Sequence, residues 1–375
     1  MAIQTVLILT AGFGDGHNSA ARSIAAALKQ ESGGRVKAVV ADLFQDAAPV
    51  TGRFYKWLYH QAINYFPMGW SWFFKRTAQG HFESVWWDRF VGLRRAMESR
   101  LKATQSQVLV LTYPVYPYFL PDLSPDALRP ESVFMVVTDS ISIHPIWLKG
   151  KVDRLFVTDE LSLKVAEAGV AAGERVEVSG FPVSPVFAKF PPRRIQGPEN
   201  GLRVLYFATT AKRHVRATLE GLLRHLPPAS QVTVAMGRHE KRLSVAVERI
   251  RQSFPEASVT AIGWTKEVPD LLRRHDVVIS KAGGATVHEC FAAGVPVLVN
   301  YVIPGQEEGN VELLERLGCG CRAPEASETG PLLAALVADG RLAAMQAAML
   351  RHRRPDGALR LAREVLAELQ RLKKP

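Results

Sequence analysis

His17 stands in a glycine-rich stretch, residues 10–24 (TAGFGDGHNSAARSI), between an apolar run and an alanine-rich one. An imidazole titrates near neutrality, so a histidine exposed on such a loop can take the proton of an attacking hydroxyl. It reads equally as a side chain that caps or packs the start of the following helix. Gly14 and Gly16, with Gly12, make the loop flexible, but their spacing is not that of a dinucleotide fingerprint. The second stretch with chemistry in it is residues 276–310 (DVVISKAGGATVHECFAAGVPVLVNYVIPGQEEGN). An apolar strand runs into Gly283-Gly284, and a helix opens at once through Ala285 and Thr286. A glycine pair lets a backbone approach a ligand, and a helix N-terminus offers free N–H groups and partial positive charge to a diphosphate. Glu289, one turn on, can accept both hydroxyls of a ribose. Gln306 and Glu307, after the next strand, offer donors and acceptors to sugar hydroxyls. Taken singly, the glycine pair also reads as a tight turn, and Glu289 as an acid near a helix start. The order is more specific: strand, Gly-Gly, helix with an early Glu, strand, then a PGQE loop.

Elements must hold these residues at one edge of a sheet. A chain of 375 residues suits two domains of roughly 150–200 residues each. In the first half, apolar strands at 6–10, 36–40, 108–111, 133–138 and 154–157 alternate with helices such as 19–30. That pattern predicts a parallel, doubly wound sheet. Residues 180–201 hold five prolines and read as a linker. The pattern then restarts with strands at 202–208, 232–236, 259–262, 277–280 and 297–300, and helices at 215–225, 244–253, 268–274, 286–293 and 309–317. The predicted organisation is an N-terminal domain 1–180, a Pro-rich linker 181–200, a C-terminal domain 201–354, and an amphipathic helix 355–375 packing back on the first domain. Two such Rossmann-like halves face a central cleft at the C-terminal ends of their strands.

The formal net charge of +11 favours anionic partners: nucleic acid, acidic lipid or phosphorylated substrates. With only three cysteines, Cys290, Cys319 and Cys321, neither a disulfide framework nor a zinc site is expected. No basic leader precedes the first apolar run, and no apolar stretch reaches the roughly 18–20 residues of a membrane span. The expected location is therefore cytoplasmic, peripheral on the inner face of the membrane. Residues 53–102 carry five of the seven tryptophans, Trp57, Trp70, Trp72, Trp86 and Trp87, with nine Lys/Arg against three acids. Rings and cations together suit a water–lipid boundary. They also suit ordinary core, and basic-aromatic composition binds single-stranded nucleic acid, although no nucleic-acid motif accompanies it here.

The 276–310 stretch resembles the donor-binding signature of the glycosyltransferases that include MurG, monogalactosyldiacylglycerol synthases and processive diacylglycerol glucosyltransferases. Its PGQEEGN form is nearer the diacylglycerol branch. GFGDGHNSAA is similar to that branch's glycine–histidine loop, and VVTDSISIHPIWLKGKVDRLFVTDE to its VVTD…H..W segment. The resemblance implies a GT-B fold and a UDP-sugar donor. It implies ribose binding by Glu289, sugar binding by Gln306 and Glu307, uracil recognition by Gly263, Trp264 and Thr265, and Asn310 as the end of the motif. It implies His17 as the base beside the acceptor. Asp139 and His144 follow a strand end and are expected to line the same cleft; Asp139 tunes a neighbour or caps a turn, and His144 lies on the acceptor side.

One departure stands out. Where these transferases open their second domain with a glycine loop, this chain reads FATTAKRHVRATL, leaving Thr209, Lys212 and Arg213 to meet phosphate charge. No Asp-x-Asp occurs, so no metal or cofactor is expected, and helix dipoles and basic groups must stabilise the leaving diphosphate. The expectation is an inverting transferase moving a hexose from a UDP-sugar to a membrane lipid such as diacylglycerol. Three rivals remain: a MurG-like N-acetylglucosaminyltransferase on a lipid-linked peptidoglycan precursor, a non-hydrolysing sugar-nucleotide epimerase, and a silent lipid- or nucleotide-binding module.

Overall fold

The structure, a computed structural model, describes residues 4–47, 69, 76, 90–171, 173–191, 201–305 and 307–373. The chain divides into two units. Unit 1 comprises Met1–Pro185, Pro304–Gly309 and Asp356–Pro375; unit 2 comprises Val186–Ile303 and Asn310–Pro355.

Unit 1 is built on six parallel strands: β1 (Gln4–Thr10), β2 (Val36–Asp42), β3 (Val108–Leu111), β4 (Ser132–Val136), β5 (Arg154–Val157) and β6 (Arg175–Val178), in the order β2-β1-β3-β4-β5-β6. Strand residues alternate between two apolar faces, as period-two geometry requires. Val6 and Ile8 of β1 pack with helix α1 (Asp15–Glu31) through Ala21, Ile24 and Leu28. Leu7 and Leu9 face the opposite layer, which includes Leu93, Met97 and Leu101 of a later helix. Helix α2 (Leu43–Ala47) follows β2, that later helix is α3 (Val91–Thr104), and α4 (Glu160–Gly169) follows β5.

Unit 2 repeats the plan with β7 (Arg203–Phe207), β8 (Gln231–Gly237), β9 (Ser258–Gly263), β10 (Val277–Lys281), β11 (Val297–Tyr301) and β12 (Gly320–Arg322), in the order β12-β11-β10-β7-β8-β9. Its helices are α5 (Lys212–His225), α6 (Glu240–Ser253), α7 (Val268–Arg274), α8 (Gly284–Ala293), α9 (Glu308–Arg316), α10 (Thr329–Ala338) and α11 (Arg341–Arg351). The last helix, α12 (Gly357–Arg371), packs in unit 1 on the α1 layer through Leu361, Val365 and Leu369.

Each sheet reverses its winding at one place. In unit 1 that switch point lies between β1 and β3, and in unit 2 between β7 and β10. Loops leaving the carboxyl ends of such strands are where open α/β sheets place ligands.

Several expectations change. The first helix begins at Asp15 rather than near residue 19, so His17 sits in its first turn and not on a loop. Gly14 ends the strand–helix turn as an extended residue, and Asp15 favours the positive helix end. The Pro-rich stretch opens as packed chain, with Phe181, Val183 and Phe187 buried. The edge strands β6 and β12 add to those read from the sequence. The five tryptophans of the 53–102 window lie outside the described residues; its end forms α3. Among the described residues, no single helix is long and apolar enough to cross a membrane.

Candidate functional site

At the unit 1 switch point, the β1–α1 turn brings His17 beside the segments that follow β3 and β4. Its Nδ1 lies 2.9 Å from Thr138 Oγ1. Its ring meets Tyr113 edge-on at 5.1 Å and Trp147 at 5.8 Å. Burial drives its pKa down to about 4, with a hydrogen bond to the Thr112 backbone opposing the shift. His17 is therefore a neutral imidazole, not the exposed, near-neutral titrating group the sequence suggests. Above it, a Cβ added at Gly14 or Gly16 would meet nothing within 4 Å, and no side chain caps the helix.

Asp139, one residue beyond Thr138, accepts a 2.7 Å hydrogen bond from Trp147 Nε1. Burial lifts its carboxyl to about 6, and the Trp147 bond partly offsets that. Trp147 thus touches both titratable groups. It is held by the turn Pro145–Trp147, which His144 caps: His144 Nδ1 accepts from Ile146 N at 3.2 Å. His144, expected on the acceptor side, is instead 6% exposed and occupied in placing Trp147. The loop below is tied down by Asp42, which accepts from Gly12 N at 3.0 Å and Phe44 N at 3.1 Å.

At the unit 2 switch point, β10 ends at Lys281, Gly283 is the N-cap and α8 opens at Gly284 without a side-chain cap. The N–H groups of Gly284, Ala285 and Thr286 point along the positive helix end. Val287, His288, Cys290 and Phe291 are buried, which leaves Ala285, Thr286 and Glu289 on the half-exposed face. Residues three and four apart share a helix face, so these three form one surface. Asn310 donates from Nδ2 to the Ala282 carbonyl at 2.9 Å, fixing the turn from below. Glu307 is 6% exposed; Gln306 lies outside the described residues.

Beside this, β7 leads through an irregular turn to α5. Lys212 and Arg213 are exposed in its first turn, and Thr209 is half-buried. At the end of β9, Trp264 is 55% exposed with Lys266 Nζ 5.9 Å from its ring centre. Thr265 Oγ1 accepts from Glu267 N at 3.0 Å, and the Glu240 carboxylate fills the space a side chain at Gly263 would need. Among the described residues, no group of three or more His, Cys, Asp or Glu is placed to hold a metal ion.

The family described as monogalactosyldiacylglycerol (MGDG) synthase matches residues 17–183, and the glycosyltransferase family 28 C-terminal domain matches residues 211–363. Each half of the chain thus matches a glycosyltransferase family model, and the protein is a glycosyltransferase. The transferase is 27% identical to a processive diacylglycerol beta-glucosyltransferase of Bacillus pumilus, over 84% of its own length and 82% of that protein's. It is 28% identical to the Bacillus cereus protein of the same name, over 97% of its length and 93% of the relative's. Its fold is that of the GT-B structures. Acinetobacter baumannii MurG matches with a TM-score of 0.63 at 14% identity, covering 97% of this chain and 99% of the other. Anabaena HepE, solved with UDP and glucose, matches at 0.54 and 13%, covering 97% and 100%.

The transferase groups its site candidates by switch point. His17 and Asp139 fall together in unit 1; Gly283, Gly284, Ala285, Thr286, Glu289, Asn310, Thr209, Lys212 and Arg213 fall at or beside the unit 2 switch point. Gly263, Trp264 and Thr265 lie two strands away, at the sheet edge. Sequence reasoning missed Tyr113, Thr138 and Trp147 as the surroundings of His17. The signal available for one of them was the tryptophan three residues after His144.

Proposed function

We propose that this transferase moves a hexose from a UDP-sugar to the hydroxyl of a membrane lipid of the diacylglycerol kind, with inversion at the sugar carbon. The observation that carries the reading is the similarity to a diacylglycerol glucosyltransferase over 97% of the chain, which spans both units. In the proposed mechanism the acceptor oxygen attacks the anomeric carbon while His17 takes its proton. The bond from that carbon to the diphosphate breaks, and its electron pair leaves with UDP. Asp139, ionised at neutral pH, stabilises the imidazolium as it forms. The α8 N-terminus, with Lys212, Arg213 and Thr209, meets the charge that grows on the diphosphate. Glu289 takes the ribose, Gly263, Trp264 and Thr265 the uracil, and Gln306 and Glu307 the sugar hydroxyls; Asn310 holds the turn that positions α8. The UDP-sugar is substrate, and the chemistry asks for no further cofactor. The protein works as a peripheral one on the cytoplasmic face of the membrane.

The test is direct. Purified protein is incubated with radiolabelled UDP-glucose or UDP-galactose and diacylglycerol vesicles, and the organic phase is counted. Label in a β-linked glycolipid supports the reading. Label confined to water-soluble sugar nucleotides, or glycolipid formation that needs a peptidoglycan precursor, overturns it.

A further inference from the structure

Among the described residues the His17 ring makes one side-chain hydrogen bond, and its partner is a neutral hydroxyl. The sheet decides which residue supplies it. Along β4, Phe134 and Val136 pack in the α1 layer, while Met135 and Val137 pack in the opposite one. The alternation carries past the strand end, because Val137 N still donates to the Phe156 carbonyl of β5 at 2.9 Å. Thr138 falls next on the α1 side, and Asp139 on the side that holds Trp147. On α1, Ala21, Ile24 and Leu28 face the sheet. His17 stands four residues before Ala21 and seven before Ile24, on the same helical stripe. The two residues meet just above the apolar core, with Thr138 Oγ1 2.9 Å from His17 Nδ1. Thr138 itself is 5% exposed.

The other contacts hold the ring in place without choosing its edge. The Thr112 hydroxyl is shared between the Leu9 and His17 carbonyls, at 3.3 Å each, and Thr10 Oγ1 donates to Asn18 Oδ1 at 3.0 Å. The backbone of the first turn is thereby tied to the ends of β3 and β1. Tyr113 and Trp147 pack on the ring itself. Packing of that kind accepts an imidazole in either of two orientations, a half-turn apart about the bond to the ring, because their outlines are nearly the same. A hydrogen bond at Nδ1 separates them. We propose that Thr138 is the positioning residue of the His17 base: its hydroxyl holds Nδ1 and leaves Nε2 to take the proton of the acceptor's hydroxyl. The inference rests on the reading of His17 as that base.

A hydroxyl suits this post in every protonation state of the ring. It donates to Nδ1 when that nitrogen is bare and accepts when it carries hydrogen. When the acceptor's O–H bond breaks, the electron pair stays on the oxygen that attacks the sugar carbon, and the proton goes to Nε2. Both ring nitrogens then carry hydrogen, and Thr138 Oγ1 accepts from Nδ1 with no heavy atom moving. A carboxylate in the same place would favour the imidazolium before substrate arrives. The hydroxyl orients without adding charge. The ring's pKa of about 4 agrees: burial lowers it, the Thr112 backbone opposes that, and no carboxylate raises it. Asp139 is occupied with Trp147 Nε1, so the two neighbours serve different ends: Thr138 aims the ring and Asp139 supplies charge. Branching at Cβ restricts χ1 and keeps the Thr138 hydroxyl aimed.

Turnover of diacylglycerol vesicles is measured with whichever of UDP-glucose and UDP-galactose the protein transfers. Thr138→Val keeps the bulk of the side chain and removes the hydroxyl. Its kcat is expected to fall about tenfold to a hundredfold, as for a misaimed catalytic group, with KM for the nucleotide sugar unchanged. Thr138→Ser, which keeps the hydroxyl, restores most of that loss. The double variant His17→Ala, Thr138→Val turns over no more slowly than His17→Ala alone, because Thr138 acts through the ring it aims. Melting curves accompany each variant; where Thr138→Val does not fold, Thr138→Ala takes its place against Thr138→Ser. Retained kcat in Thr138→Val overturns the proposal. So does a Thr138→Ser variant as slow as Thr138→Val, or a double variant slowed by the product of the two single losses. Each of those results leaves His17 as the base so long as His17→Ala is slow. Retained kcat in His17→Ala overturns that reading, and the positioning role with it.

Discussion

At neutral pH His17 is an uncharged imidazole, because burial holds its pKa at about 4. It is ready to accept a proton but is a weak base until something steadies the cation, and Asp139 beside Trp147 is the group placed to do that. His17→Ala is expected to lower kcat by about 10²–10⁴-fold, the usual scale of general-base catalysis, with UDP-glucose binding unchanged by calorimetry. Retained kcat would remove His17 from the mechanism. Asp139 carries the opposite pH signature. Its folded pKa is raised from 3.8 to about 6, so its contribution to stability is present below 3.8 and lost as pH rises through about 6. That shift corresponds to about 3 kcal/mol. Asp139→Asn, which can still accept from Trp147, should therefore raise the melting temperature at neutral pH and leave it nearly unchanged near pH 4. It should also slow turnover and erase a limb near pH 6 from the kcat/KM profile. For His17 the folded pKa is depressed, so stability is present above 6.5 and lost as pH falls through about 4. The sequence made His17 visible by its glycines, but not its low pKa. The rings and hydroxyl that bury it, Tyr113, Thr138 and Trp147, come from segments that only the strand order brings together.

Among elements, α5, whose first turn carries the Lys212 and Arg213 proposed to meet the diphosphate, has its seat set by two glycines. A Cβ on Gly330 of α10 would overlap the Gly221 backbone of α5, and a Cβ on Gly221 would overlap Ser327. Backbones this close leave no rotamer by which a larger residue can escape, so the helices must part. Gly330→Ala is expected to destabilise the protein by about 1–3 kcal/mol and to lower its melting temperature. It should also raise KM for the UDP-sugar while leaving kcat nearly intact, since α5 moves and His17 does not. A change in stability with KM unaltered would show that α5 does not set donor affinity. These contacts explain what the sequence hid. Central strands such as Val277–Lys281 announce themselves as apolar runs, whereas β6 and the three-residue β12 are short edges with few buried residues. Helix α10, TGPLLAALVA, is apolar on every side and shows no periodicity to read. The start of α1 was misplaced because Gly14 and Gly16 look like loop but their backbone serves as the cap and first turn.

For the whole molecule, the two-sheet plan was legible because strands and helices alternate twice, with a proline-rich break between. The last helix was legible too, because its apolar stripe needs a face to cover: α12 closes unit 1 from the far end of the chain, with Leu359, Leu361, Val365 and Leu369 on the α1 face. Charge acts at this scale too. A net charge of +11 would draw the chain electrostatically toward an anionic lipid surface. Each Lys or Arg near an anionic surface contributes about 1 kcal/mol, and the screening length falls from about 10 Å at 0.1 M salt to about 3 Å at 1 M. Co-sedimentation with phosphatidylglycerol vesicles should therefore be strong at low salt and nearly lost at high salt, with little binding to phosphatidylcholine at either. Turnover of vesicle-borne diacylglycerol should fall along the same salt curve, while binding of UDP-glucose in solution falls far less. Equal binding to both vesicle types, unmoved by salt, would instead assign membrane attachment to apolar insertion, with the tryptophans of residues 53–102 as its source.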